Sequence, residues 1–274
     1  MKICYTTLAC PNWDLDTILT RTKAYGYDGL DFRGYLDAVD ITLHPLFTTG
    51  LKETRQKIVD SGVPICGIST SIKVCVPEAM AQNIAEARRT IHLAQALGAK
   101  YLRIFGMGDL DKYSRNQLAD FGSMTMQAIL SLDGARDLHW LFETHDLWTR
   151  SADSRTLLDR IPDPAFGVLW DMGHTPRVGG EMPADTFKAV GTRVAYTHVK
   201  DAAYDPHHPK AMSDGWRYTF PGEGMLPLAD AIQTLKTHGY DGWIVFEHEK
   251  RWHPNLPEPE EILPAFVKWV RPLL

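Results

Sequence analysis

The chain has 274 residues, 44% hydrophobic and 23% charged, with a formal net charge of -5. A chain of this length buries roughly 70–75% of its unfolded surface and needs no disulfide or metal staple to fold. The mild negative charge excludes a nonspecific grip on nucleic acid or on an anionic membrane. Four cysteines, Cys4, Cys10, Cys66 and Cys75, form no C-x-x-C pair and no disulfide framework. They read as reduced, mostly buried thiols of a cytoplasmic protein. The Met1–Thr6 segment lacks the apolar core of a signal peptide, and no apolar run approaches the ~18–20 residues needed to cross a bilayer.

Short apolar runs alternate with longer helical patterns. Ile3–Leu8 reads as strand one and Asp14–Tyr25 as a helix closed by Gly26. Asp28–Phe32 is a second strand, Leu51–Ser61 a helix stopped at Gly62, and Val63–Ile68 a third strand. Ala79–Leu97 is a long amphipathic helix with Gly98 as its stop, followed by strand four at Lys100–Phe105. In the second half, helical Gln117–Leu132 precedes strand five, Leu138–Glu143, and helical Ser154–Arg160 precedes strand six, Phe166–Asp171. Helical Ala184–Val190 leads to strand seven, Val194–Lys200. Leu228–Thr237 is helical, Trp243–Glu247 is strand eight, and Pro259–Val270 closes the chain. The longest irregular segment, about Asp201 to Pro227, has the length of a functional loop.

Strict strand–helix alternation implies a parallel sheet, and eight strands is the number that closes a (β/α)₈ TIM barrel. The rival, a doubly wound open sheet, announces itself with a glycine-rich turn after strand one. Here that turn reads Leu8-Ala9-Cys10-Pro11-Asn12. No linker or low-complexity stretch divides the chain, so one domain over residues 1–274 is expected.

In such a barrel the C-terminal strand ends form the active site. Strand five ends in Glu143-Thr144-His145, strand six in Asp171-Met172-Gly173-His174, strand seven in His198-Val199-Lys200-Asp201 and strand eight in Glu247-His248-Glu249. Three carboxylates gathered at a buried mouth force either protonation or a compensating cation. A set of two Glu, one Asp and one His is mostly oxygen donors. It favours Mn²⁺, with Mg²⁺, Co²⁺ or Zn²⁺ as alternatives. A lone strand-end carboxylate is more often a cap or an ion-pair partner, and a lone His a structural hydrogen-bonder. Four in succession on adjacent strands change those odds and make one divalent metal site a candidate beside the structural roles.

The chain resembles the xylose isomerase-like barrel superfamily, the sugar phosphate isomerase/epimerase group. The resemblance rests on Gly26-Tyr27-Asp28-Gly29-Leu30-Asp31, Ala96-Leu97-Gly98-Ala99-Lys100-Tyr101-Leu102-Arg103, Phe142-Glu143-Thr144-His145, Asp171-Met172-Gly173-His174, His198-Val199-Lys200-Asp201, Pro221-Gly222-Glu223-Gly224 and Phe246-Glu247. Each is short, but their order and spacing are specific. The resemblance implies that Glu143, Asp171, His198 and Glu247 hold the ion and that His174 points at substrate. It implies proton transfer next to a carbonyl through a metal-stabilised enediolate, with Glu143 and Glu247 as the acid–base pair. The substrate would be a small sugar or keto-polyol. Epimerisation, isomerisation and dehydration share this intermediate.

The Trp216–Gly224 segment and His-Val-Lys-Asp resemble inosose dehydratases, which makes a keto-polyol lyase the alternative. Lys200 would then protonate a leaving hydroxyl; its plainer reading is a salt bridge with Asp201. Arg217 is a candidate for a substrate hydroxyl or carboxylate, and Trp252 for stacking on a sugar face. An apurinic endonuclease-like nuclease is the remote alternative. Strands three and four end in Ser69-Thr70-Ser71 and Gly106-Met107-Gly108, without the histidines its three-metal cluster needs. Members of the resembled group are often dimers or tetramers, so a homo-oligomer is an open expectation.

Overall fold

The computed structural model describes residues Met1 to Leu274. Eight parallel strands close on themselves: β1 (Lys2–Thr6), β2 (Gly29–Phe32), β3 (Ile65–Lys73), β4 (Tyr101–Phe105), β5 (His139–Glu143), β6 (Phe166–Asp171), β7 (Val194–Val199) and β10 (Trp243–Phe246). Closure is made by β1 against β10, with Tyr5 opposite Phe246. The remaining strands, β8 (Ala202–Tyr204) and β9 (Trp216–Tyr218), form an antiparallel hairpin beyond β7. No helix is long and apolar enough to cross a membrane.

The helices are α1 (Leu15–Ala24), α2 (Leu51–Ser61), α3 (Met80–Leu97), α4 (Arg115–Leu130), α5 (Ser151–Arg160), α6 (His174–Arg177), α7 (Pro183–Val190), α8 (Leu228–Thr237) and α9 (Pro259–Val270). Their starts follow local chemistry. Asp14 caps α1 by accepting from the Thr17 N–H at 2.8 Å. Ser114 and Gln117 form a capping box that starts α4 two residues before the apolar periodicity does. Gly62 and Gly98, at φ +70 and +75, supply the left-handed residues that end α2 and α3.

Two apolar layers result from the two-residue period of the strands. Trp140, Phe142, Val168 and Trp170 face outward to the helices. Cys4, Cys66, Leu141, Leu169, Tyr196 and Val245 fill the barrel interior. Each of the last four lies two residues before a site residue: Glu143, Asp171, His198 and Glu247. The alternation that plugs the barrel therefore aims those four polar side chains into its mouth.

Three differences from the sequence reading bear on the barrel mouth. Strand one stops at Thr6, because Thr7–Ala9 tightens into a 3₁₀ turn. Strand three runs on to Lys73, so Ser69-Thr70-Ser71 lies within it. The segment read as an irregular loop contains the β8–β9 hairpin.

Candidate metal centre

One donor atom from each of Glu143, Asp171, His198 and Glu247 lies within 4.8 Å of the others, and all four residues are buried. Donors on opposite sides of an ion at about 2.2 Å sit about 4.4 Å apart, so the cage needs only a small contraction to fit. His198 Nδ1 lies 3.0 Å from Glu143 Oε1 and 3.3 Å from Glu247 Oε1. Its Nε2 is buried without a hydrogen-bond partner. The second oxygen of each glutamate meets a cation. Glu143 Oε2 is 3.5 Å from Arg103 Nε, and Glu247 Oε2 accepts from Lys200 Nζ. Asp171 is oriented by its own loop: Oδ1 accepts the N–H groups of Gly173 at 2.8 Å and His174 at 2.9 Å. Partners of this kind orient side chains that could serve as metal ligands.

Charge in the cluster is balanced by the chain itself. Burial opposes a charged imidazole at His198, but the Glu247 and Glu143 carboxylates outweigh it and raise its pKa to about 10. Burial likewise opposes ionisation of Asp171, yet His174 and Lys200 hold it well below the usual carboxylate range. Glu247 is held low against burial by His198 and Lys200. A proton on His198 thus occupies the electrostatic role that a divalent ion is suited to take.

The structure brings some of the substrate candidates to this centre and leaves others outside. His174 Nδ1 lies 2.8 Å from Asp171 Oδ2, so it supports a ligand from the side of the mouth. Lys200 is buried among Asp171 (3.0 Å), Glu247 and Glu249 (2.8 Å). The salt bridge with Asp201 does not form. Asp201 turns the other way and accepts from the N–H groups of Ala202 (2.8 Å), Gly222 (2.8 Å) and Gly224 (3.0 Å), fastening the Pro-Gly-Glu-Gly turn. Arg217 is also displaced from the expected role. Alternation along β9 puts it on the hairpin face opposite Tyr218, with Nε 3.8 Å from Asp205. Tyr218 is the residue that faces the centre. Burial raises its hydroxyl pKa, and the charges of Lys200 and Glu249 bear on it.

Trp252 sits on the rim, 44% exposed. With Arg177, Tyr218 and His253 it helps line a cavity of about 660 Å³ whose walls include none of the four candidate ligands. Arg103 and Glu249 were unassigned by the sequence reading. For Arg103 the signal was present: a charged residue in the middle of the apolar run Tyr-Leu-Arg-Ile-Phe rarely points inward without a purpose.

The family model of the xylose isomerase-like TIM barrel matches residues 19–273. An inosose dehydratase of Lacticaseibacillus casei is 28% identical over 130 residues, 43% of this chain and 43% of that protein. The match therefore spans less than half of this curated relative. Among solved structures, the IOLI protein with a binding zinc atom superposes with a TM-score of 0.79 at 16% identity, over 100% of this chain and 98% of its own. The 3-keto-D-glucoside 4-epimerase of E. coli superposes at 0.75 and 16% identity, over 99% of both chains. These likenesses establish the fold. With the family model running from within α1 to the penultimate residue, the chain belongs to the xylose isomerase-like TIM barrel family.

Proposed function

We propose that this chain is a divalent-metal-dependent enzyme that moves a proton next to the carbonyl of a sugar or keto-polyol, isomerising or epimerising it. The observation that carries the reading is the convergence of Glu143, Asp171, His198 and Glu247 on one buried point. An ion bound there supplies positive charge beside the substrate carbonyl as negative charge develops on its oxygen. The oxygen-rich donor set favours Mn²⁺, and the zinc in the IOLI neighbour keeps Zn²⁺ as an alternative.

Glu143 and Glu247 project from β5 and from the end of β10, with β6 and β7 between them. From these positions one carboxylate removes a proton and the other returns one. His174, fixed by Asp171, and Tyr218 offer hydrogen bonds at the edge of the same space. The barrel interior below is filled by Leu141, Leu169, Tyr196 and Val245, which excludes water from that side.

Dehydration is the second reading, and Lys200 is the observation that favours it. Its ammonium is held against Asp171 and Glu247, placed to give a proton to a departing hydroxyl. The inosose dehydratase relatives support the same outcome. Proton exchange followed by NMR separates the readings. Ketoses, inososes and 3-keto sugars are incubated with the enzyme and Mn²⁺ in D₂O. Exchange at one carbon without loss of hydroxyl supports isomerisation or epimerisation; loss of a hydroxyl supports dehydration. Glu143→Gln is expected to slow either by about 10²–10⁴-fold with the fold intact. Undiminished turnover in that variant rules out its catalytic role.

A further inference from the structure

Across the barrel mouth from Glu143, Asp171 and Glu247, two buried arginines stand near the buried Asp31 of β2, whose carboxylate is taken by the Ser69 and Tyr196 hydroxyls. Arg103, in the middle of β4, is 2% exposed. Its guanidinium carbon lies over the Phe105 ring, 3.9 Å from the centroid. Its Nε and Nη1 are buried and donate no hydrogen bond. Glu143, at 3.5 Å, is beyond good hydrogen-bond distance. Arg33 follows β2 and is 8% exposed, with Nη1 donating to Ser71 Oγ at 3.1 Å. Glu86, a buried carboxylate on that side, is engaged by the Ser71 backbone N–H at 2.7 Å. Burial, and then the charge on Arg103, lower the Arg33 pKa to about 9, against the carboxylates of Glu247, Glu86 and Glu143, which raise it.

A buried guanidinium with free N–H groups is unfavourable unless a ligand completes it. Its fork of donors matches a planar carboxylate, which accepts two parallel hydrogen bonds. Resting on the metal-dependent reading above, we propose that the substrate is a polyol or keto-polyol bearing a carboxylate. Arg33 and Arg103 hold that carboxylate while the carbonyl end faces Glu143 and Glu247. Neutral sugars would leave these N–H groups unpaired.

The test uses calorimetric titration of the metal-loaded protein with quinate, a carboxylated cyclic polyol, with its neutral methyl ester, and with inositol 1-phosphate. Quinate is expected to bind at least about tenfold more tightly than the ester. Arg33→Met and Arg103→Met are each expected to abolish that preference, and Arg33→Met, which touches none of the four candidate ligands, to leave metal content the same. Equal affinity for acid and ester, a preference for the phosphate ester, no binding of any of the three, or a preference that survives both substitutions overturns the proposal. The acid–ester comparison on the unmodified protein keeps the test decisive if a variant fails to fold. If metal binds and neutral keto-polyols exchange protons while quinate shows no preference, only the anionic substrate class falls. If no metal binds, the underlying reading falls with it.

Discussion

Lys200 and Asp201 are adjacent in the chain, between the end of β7 at Val199 and the start of β8 at Ala202. Adjacency suggested an ion pair, but the two side chains take separate partners. Lys200 instead supplies the internal cation for Asp171, Glu247 and Glu249, at side-chain exposures of 0–16% for the three carboxylates. Lys200→Met leaves buried carboxylates uncompensated. It should destabilise the metal-free protein by about 3–5 kcal/mol in urea unfolding, and an unchanged midpoint would show the lysine to be dispensable there. Gly67 carries a different constraint. A Cβ there would meet Asp31 Oδ2 at 2.2 Å and the Tyr196 hydroxyl at 2.9 Å. Those two groups hydrogen-bond each other at 3.0 Å in the barrel interior. Gly67→Ala should therefore lower stability by about 1–3 kcal/mol, read as a drop in Tm.

At the scale of elements, legibility in the sequence tracked how local the cause was. β5 to β7 are fully or largely buried apolar runs bounded by glycine, proline or charge, and their polar ends were readable as site residues. The β8–β9 hairpin was hidden, since its strands are three residues each and a long polar connection separates them. Arg217 was misplaced for the same cause: without the hairpin there is no alternation to distinguish it from Tyr218. The turn beyond the hairpin is held by Asp201 through two backbone N–H groups, those of Gly222 and Gly224. Asp201→Ala should remove that fastening, costing about 1–3 kcal/mol. Amide exchange at Gly222 and Gly224 should accelerate while metal content is unchanged. Protection equal to that of the original protein would place the turn's stability elsewhere.

For the whole molecule, closure of β1 on β10 brings Glu247, near the C-terminal end of the chain, against elements from the first half. The four candidate ligands are spread from position 143 to 247 in sequence and meet only once the barrel closes. Closure itself was legible from eight alternations; the pair of buried arginines was not, because Arg33 and Arg103 come from either side of β3. A metal that binds the closed barrel and not the unfolded chain stabilises it by mass action. At an ion concentration one hundred times its Kd, this amounts to about 2.7 kcal/mol, or about 5–10 °C in Tm, lost on chelation. A Tm insensitive to both chelator and added Mn²⁺ would count against a site formed by folding.

Anomalous diffraction from crystals soaked in Mn²⁺ tests the centre most directly. The account predicts one strong peak per chain, bounded by Glu143, Asp171, His198 and Glu247. No peak there, or density confined to other carboxylates, would contradict it.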